Sequence, residues 1–344
     1  LPAATYFRSG CTGAHENLNL KVMLKKIVTP FIIFFVCQCA WAQQPSQYSL
    51  YMFNQMAYNP AYAGLDNSLS TTGVFRRQWV NLEGSPTSQH FNLHAPLYFL
   101  NSGLGFSLEN DELGLERNLA LRIAYNYQLN LNNGTLAIGI GGGILQKTLN
   151  GSGMRTPEGD YIDGSTINHR DNFLPISQAT ASAPTFEFGI YYKSEQLEIG
   201  LSTRDIVAQP IEFTDFTIRP IRSFFFNASM NFELNRSLML SPSMFVKTDI
   251  LQTQMDFSAL FTYNDNITFG TSLRGYSRTT IDALAIIGGL KVSDKTNVFY
   301  SYDVTLSQIK LANAGSHEIM LNYNLNKPIG KGRPPKIIYN PRFL

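Results

Sequence analysis

The chain has 344 residues, of which 44% are hydrophobic and only 15% charged, and its formal net charge is +2. So neutral a balance carries no electrostatic footprint for nucleic acid. All three cysteines (Cys11, Cys37, Cys39) precede residue 43, so a chain exported from there onward has neither disulfides nor thiolate metal sites, whatever its compartment.

Residues 1–22 do not look like a protein start and read as a non-native upstream extension. Met23-Leu-Lys-Lys, the apolar run from Ile27 to Val36 and Ala40-Trp-Ala42 form a basic, an apolar and an A-x-A region. Together they make 23–42 a secretory signal peptide, too short to span a bilayer as a helix. The mature chain is expected to begin at Gln43. A lipoprotein alternative at Cys37 or Cys39 meets Val36 and Gln38 where a small residue is needed. No later apolar run is long enough for a transmembrane helix. An exported chain can still be integral to a membrane if its sheet closes, because closure satisfies every backbone group.

Residues 43–68 are rich in Tyr and Asn and have no strand period; they read as a plug or entry segment. From Leu69 one motif recurs about fourteen times, apolar side chains alternating with polar or small ones. Its clearest copy runs from Leu119 to Leu131: Leu119, Leu121, Ile123, Tyr125, Tyr127, Leu129 and Leu131 share one face, and Arg122, Asn126, Gln128 and Asn130 the other. Successive strand side chains point to opposite sides of a sheet, and strands of about ten residues suit a tilted crossing of a bilayer. The pattern predicts strands at 69–80, 87–95, 102–111, 117–131, 134–147, 184–193, 196–204, 223–234, 237–248, 253–264, 267–277, 280–292, 296–306 and 316–326.

Every second link is short and carries turn chemistry, as at Asn132-Asn-Gly134, Lys193-Ser-Glu195, Asn235-Arg-Ser237, Asn264-Asp-Asn266 and Ser293-Asp-Lys295. The other set holds the two longest links, 148–183 and 206–222. Outer-membrane barrels show this asymmetry, with short periplasmic turns and longer outside loops. The expected fold is therefore all-β: a transmembrane, antiparallel, up-and-down β-barrel of about 14 strands (12–16) over 69–326, both termini periplasmic and the long loops extracellular. Seventeen Tyr and 24 Phe against two Trp suit an apolar band with tyrosines near its rims. A soluble β-fold with an aromatic core is the competing reading. A barrel this wide has a lumen that wall side chains do not fill, so 43–68 or the loop 148–183 is expected to occupy it, or it is a channel.

The residues offer no catalytic constellation, cofactor site or metal site. His90 and His94 share a strand face about 13 Å apart, too far for one ion, and read as inward polar residues. Gly139 to Gly143 lies in an alternating strand with no helix after it, so small inward residues explain it better than a dinucleotide loop. Glu158-Gly-Asp-Tyr-Ile-Asp-Gly164 lacks the acidic spacing of a defined calcium loop. The end is basic: 327–344 carries five basic residues, no acidic one and four prolines, which forbid a continuing strand. It reads as a periplasmic tail, either disordered or an extended docking peptide.

Several motifs in order resemble the PorP/SprF family: Tyr51-Met-Phe-Asn-Gln55, Asn59-Pro-Ala-Tyr-Ala-Gly64, Arg76-x-Gln-Trp79, Gly84-Ser-Pro-Thr87, Pro96-Leu97, His317-Glu-Ile-Met-Leu321 and Pro341-Arg-Phe-Leu344. They bracket 47–344; the middle, 148–222, carries none of them, and Leu344 stands where Phe is expected. The resemblance implies a non-enzymatic outer-membrane protein of the type IX secretion system. Its implied partners are outer-membrane lipid, a large secreted adhesin or gliding-type cargo gripped by its C-terminal domain, and translocon or periplasmic ring components. The partner-binding candidates are Tyr51, Phe53, Asn54, Asn59, Pro60, Arg76 and Trp79, with Lys331, Arg333, Lys336, Arg342 and Phe343 in the tail. A diffusion porin or nutrient channel with an open lumen is the alternative, and a barrel enzyme a more distant one.

Overall fold

Alternating apolar and polar side chains can bury both faces of a sheet only if one faces lipid and the other an interior. The computed structural model, which describes residues 45–161, 167–277 and 280–327, resolves the pattern in this way. The first seven strands are β1 (Ser70–Arg77), β2 (Thr87–Leu97), β3 (Ser102–Leu113), β4 (Glu116–Leu131), β5 (Gly134–Asn150), β6 (Gln178–Lys193) and β7 (Leu197–Arg204). A two-residue hairpin, β8 (Ile211–Glu212) with β9 (Thr217–Ile218), follows in the next connection. The rest are β10 (Ser223–Met230), β11 (Phe232–Asn235), β12 (Leu238–Thr248), β13 (Thr253–Tyr263), β14 (Ile267–Arg274), β15 (Ala283–Ser293), β16 (Thr296–Thr305) and β17 (Ser316–Asn324).

Each large strand pairs antiparallel with its neighbours in sequence. β1 pairs with β17 from Ser70↔Asn324 to Arg77↔His317, and β10 pairs with both β7 and β12. Fourteen strands thus close a barrel. The short β11 stands apart from them, continuing the line of β10 along β12 past a break at Asn231. At the break the Asn231 N–H leaves the ladder for the Gln196 carbonyl at 2.9 Å.

The face assignment is the inverse of a soluble protein's. Phe75, Phe91, Leu121, Ile123, Ile140, Leu201, Phe269, Ile286 and Ile319 are exposed, whereas Arg76, His90, Asn92, Asn126, Asp256, Asp303 and Glu318 are buried. Charged side chains are almost never fully buried unless paired; here they line an interior and the apolar ones form an outer belt. Among the described residues no helix is long and apolar enough to cross a membrane; the crossing elements are strands.

The two rims differ. One carries the tight connections 98–101, 132–133, 194–196, 236–237, 264–266 and 294–295, and here the chain enters β1 and leaves β17. The other, the mouth, carries 78–86, 114–115, 151–177, 205–222, 249–252, 275–282 and 306–315. The longest connection is shorter than expected, because β5 runs on to Asn150 and β6 starts at Gln178, paired Asn150↔Gln178. Gln178-Ala-Thr-Ala-Ser-Ala183 has no large apolar residue to betray a strand. Pro184 inside β6 disguises it further.

Candidate functional site: the occupied barrel interior

Residues 45–68 run through this interior. Three single-turn 3-10 helices, Tyr51–Phe53, Gln55–Ala57 and Pro60–Tyr62, fold the segment. Asn59 caps the third by accepting the Ala61 N–H at 2.9 Å, and Pro60 sits at its first position, where no N–H is needed. The segment begins at the mouth. The Pro45 carbonyl accepts from Lys247 Nζ at 2.8 Å, and Gln78 Nε2 donates to Gln47 Oε1 at 3.3 Å. It finishes at the opposite rim, where the Ser68 hydroxyl donates to the Lys327 carbonyl and the Leu69 carbonyl accepts from Leu325 N–H.

Near the mouth the grip is ionic. Glu318 accepts the backbone N–H groups of Ser49 (2.7 Å) and Leu50 (3.1 Å), and pairs with Arg76 at 2.9 Å. Arg76 also pairs with Asp303 at 2.7 Å, and Arg274 lies 3.4 Å from both Asp303 and Asp256. The Ser49 hydroxyl closes the network, donating to Asp303 and accepting from Arg76 at 3.0 Å and Arg274 at 2.9 Å. Isolated charges so deep would be costly, but these are paired and hydrogen-bonded.

A second network lies across the barrel. Arg122 reaches Glu109 (2.9 Å) and Glu187 (3.2 Å), and Arg204 reaches Glu187 (2.7 Å) and Glu109 (3.4 Å). Arg204 also donates to the Ala57 carbonyl at 2.6 Å.

Between these networks the contact is apolar. Tyr48, Leu50, Tyr51, Ala57 and Tyr58 cluster with the inward-facing Val74, Phe225, Phe245, Leu260, Ile287, Phe299 and Met320. Tyr51 stacks on Phe245 and bonds the Ser258 hydroxyl at 2.9 Å; Phe53 stacks on Phe299 with ring centroids 3.9 Å apart.

Toward the tight-turn rim the fit is steric. Gly139 and Gly189 face each other across β5 and β6 and admit the Asn59–Ala61 backbone. A Cβ on Gly139 would stand 2.5 Å from Ala61 backbone atoms, and one on Gly189 2.0 Å from Asn59 Oδ1. Asn126 donates to the carbonyls of Ala61 and Ala63, both at 2.6 Å. Asp66 ends the segment, taking Lys193 at 3.0 Å and the Tyr62 hydroxyl at 2.7 Å, with His94 3.6 Å away.

The interior absorbs most of the sequence-derived candidates. Tyr51, Asn54, Asn59, Pro60 and Arg76 are buried within it, and Phe53 is half-buried. Asn54 bonds His90 Nδ1 at 3.1 Å and accepts from Asn92, while His94 Nδ1 meets the Gly64 N–H at 3.1 Å. Trp79 is half-buried at the mouth, just past β1, with φ of 50° and its N–H on Ser316 Oγ. Lys331, Arg333, Lys336, Arg342 and Phe343 lie outside the described residues, as does part of the acidic stretch 158–164, whose Asp160 pairs with Arg170 at 2.8 Å. Among the described residues no group of three or more His, Cys, Asp or Glu is placed to hold a metal ion.

Sequence reasoning did not single out Ser49, Glu109, Glu187, Asp303 or Glu318. A signal for the occupant existed: where both faces of a strand are apolar, as in Phe224-Phe-Phe226 and Ile319-Met-Leu321, the inward one needs something to pack against.

A closed fourteen-strand barrel with an apolar outer belt and a filled polar interior is an integral β-barrel of the outer-membrane type. The chain belongs to the family of type IX secretion system membrane proteins PorP/SprF, whose model matches residues 40–323. No curated protein sequence matches it. Among solved structures it is similar to the Ralstonia pickettii toluene transporter TbuX, at 11% identity and a TM-score of 0.47, covering 78% of this chain and 92% of that one. It is also similar to the monoaromatic hydrocarbon channel CymD, at 12% identity and 0.46, covering 81% and 94%. The Pseudomonas putida toluene transporter TodX gives 10% identity and 0.45, covering 80% and 93%.

Proposed function

We propose that this protein is a non-enzymatic outer-membrane barrel that binds, helps export and anchors a large secreted adhesin or gliding-type protein of the type IX pathway. Its long connections would face the cell exterior, and the basic tail 327–344 would face translocon or ring components in the periplasm. The outer belt holds the barrel in lipid, and segment 45–68 serves as the plug of the lumen.

The observation that carries this reading over an open channel is the occupied interior. Backbone and side chains of 45–68 bond inward groups on β1, β2, β4, β6, β7, β12, β13, β16 and β17, which supports a closed lumen. Family membership supports the secretion pathway, and the unequal rims support outward-facing loops.

Purified protein in planar bilayers is expected to show no steady conductance. Steady open-channel current from the intact protein would favour the porin reading. Co-purification of a secreted partner is expected to be lost on deleting 151–177 or 327–344. Unchanged recovery with both deletions would remove the binding assignment.

A further inference from the structure

The direction in which segment 45–68 crosses the barrel fixes where the chain comes in. Its first contacts are with Lys247, next to the mouth end of β12, and Gln78, just past the mouth end of β1. Ser49 follows at the level of Arg76 and Glu318, one and two residues inside the mouth ends of β1 and β17. Tyr51 then reaches Ser243 and Ser258 midway along β12 and β13. Asn59 reaches the carbonyls of Ile190 and Leu201, and Gly64 reaches His94, near the tight-turn end of β2. Asn67 accepts from Tyr98 and Ser68 bonds Lys327, both beyond strand ends at that rim. Between Tyr51 and Asn59 the path turns back toward the mouth, where the carbonyls of Ala57 and Tyr58 accept from Arg204 and Ser202, but the two ends of the segment lie at opposite rims, so its net course is a descent. A loop dipping in from the tight-turn rim would have both of its ends there.

From this descent we infer that the chain enters the barrel at the mouth and threads the closed barrel end to end, so that Pro45 and the end of β17 lie on opposite sides of the membrane. On this inference the amino end would not be periplasmic, as expected from the sequence: an even strand count puts both ends of the sheet at the tight-turn rim, but the threaded segment returns the amino end to the other rim. With the long connections outside, as proposed above, this end of the segment is displayed on the cell-surface side, beside connections 78–86 and 249–252. Once β1 and β17 pair, the segment can enter only along the axis, because a closed hydrogen-bonded wall admits no sideways entry.

Gln44 adjoins Pro45, and consecutive Cα atoms are about 3.8 Å apart, so a thiol there reports the side of entry. In a background lacking Cys11, Cys37 and Cys39, single variants Gln44→Cys, Phe173→Cys and Asn133→Cys are treated on intact cells with a membrane-impermeant maleimide. Phe173 is an exposed residue of the longest mouth connection, and Asn133 belongs to a tight turn. Gln44→Cys is expected to label as Phe173→Cys does, to the same extent before and after outer-membrane permeabilisation, with Asn133→Cys labelling only after it. If Gln44→Cys follows Asn133→Cys, the inference is overturned. If Asn133→Cys alone labels on intact cells, the loop orientation fails while the threading stands. Should the Gln44→Cys thiol react only after denaturation, an epitope inserted between Gln43 and Gln44 decides: antibody binding on intact cells supports surface entry, and binding only after permeabilisation overturns it.

Discussion

Near the mouth, Ser49 and Leu50 meet the wall through carboxylates and guanidinium groups on β1, β14, β16 and β17. Toward the other rim, Asn59, Pro60 and Ala61 meet it through bare glycine backbone on β5 and β6. The first region is held by charge and directional hydrogen bonds, the second mainly by shape. The two modes fail differently. Losing one member of a buried ionic network leaves the other charges uncompensated, whereas filling a steric hole pushes the segment away while the wall stays intact.

The largest expected effect is at the ionic end. Glu318→Ala takes from Arg76 one of its two carboxylate partners and leaves the Ser49 and Leu50 N–H groups without their acceptor, and is expected to lower stability in detergent by about 3 kcal/mol, read from urea unfolding. Glu318→Gln keeps one acceptor oxygen and should cost visibly less. A loss as large as that of Glu318→Ala would show that the charge alone holds this end, and unchanged stability in Glu318→Gln would show that the network is not ionic in character. At the steric end, Gly139→Ala is expected to cost about 1–3 kcal/mol. It should also raise protease cleavage within 55–66 while the barrel keeps its heat-modifiable migration; unchanged cleavage would break the contrast.

Smaller effects sharpen it. Tyr51→Phe keeps the stacking on Phe245 but loses the hydroxyl bonds to Ser243 and Ser258, a loss of about 1 kcal/mol by the same urea measurement. Asp66→Asn removes the carboxylate that Lys193 meets at 3.0 Å. It is expected to raise proteolysis within 60–68 and leave 49–53 protected. Because Asp66 is only half-buried, its loss of stability should be the smallest of the four.

The wall was largely legible in sequence. An outward Leu121 or Ile123 beside an inward Arg122 repeats with period two, and turns such as Asn132-Asn-Gly134 mark the tight rim. Register errors would turn each strand inside out, so pattern and structure agree closely. Where polarity failed to alternate, boundaries slipped, as at Gln178–Ala183. The interior was much less legible. Tyr48 to Asp66 has no period because each residue answers to a different strand, and its partners Glu318, Arg204 and Phe225 lie hundreds of residues or several strands away.

The sequence by itself determined the repeating two-faced strand, the unequal link lengths and the motifs that place the chain in its family, because these depend on neighbours in the chain. Only the tertiary structure decided what fills the lumen, which charges neutralise one another and the direction of threading. Those properties arise when closure brings β1 to β17 and sets inward groups from distant strands around one segment, so they depend on positions in space that no local spacing encodes.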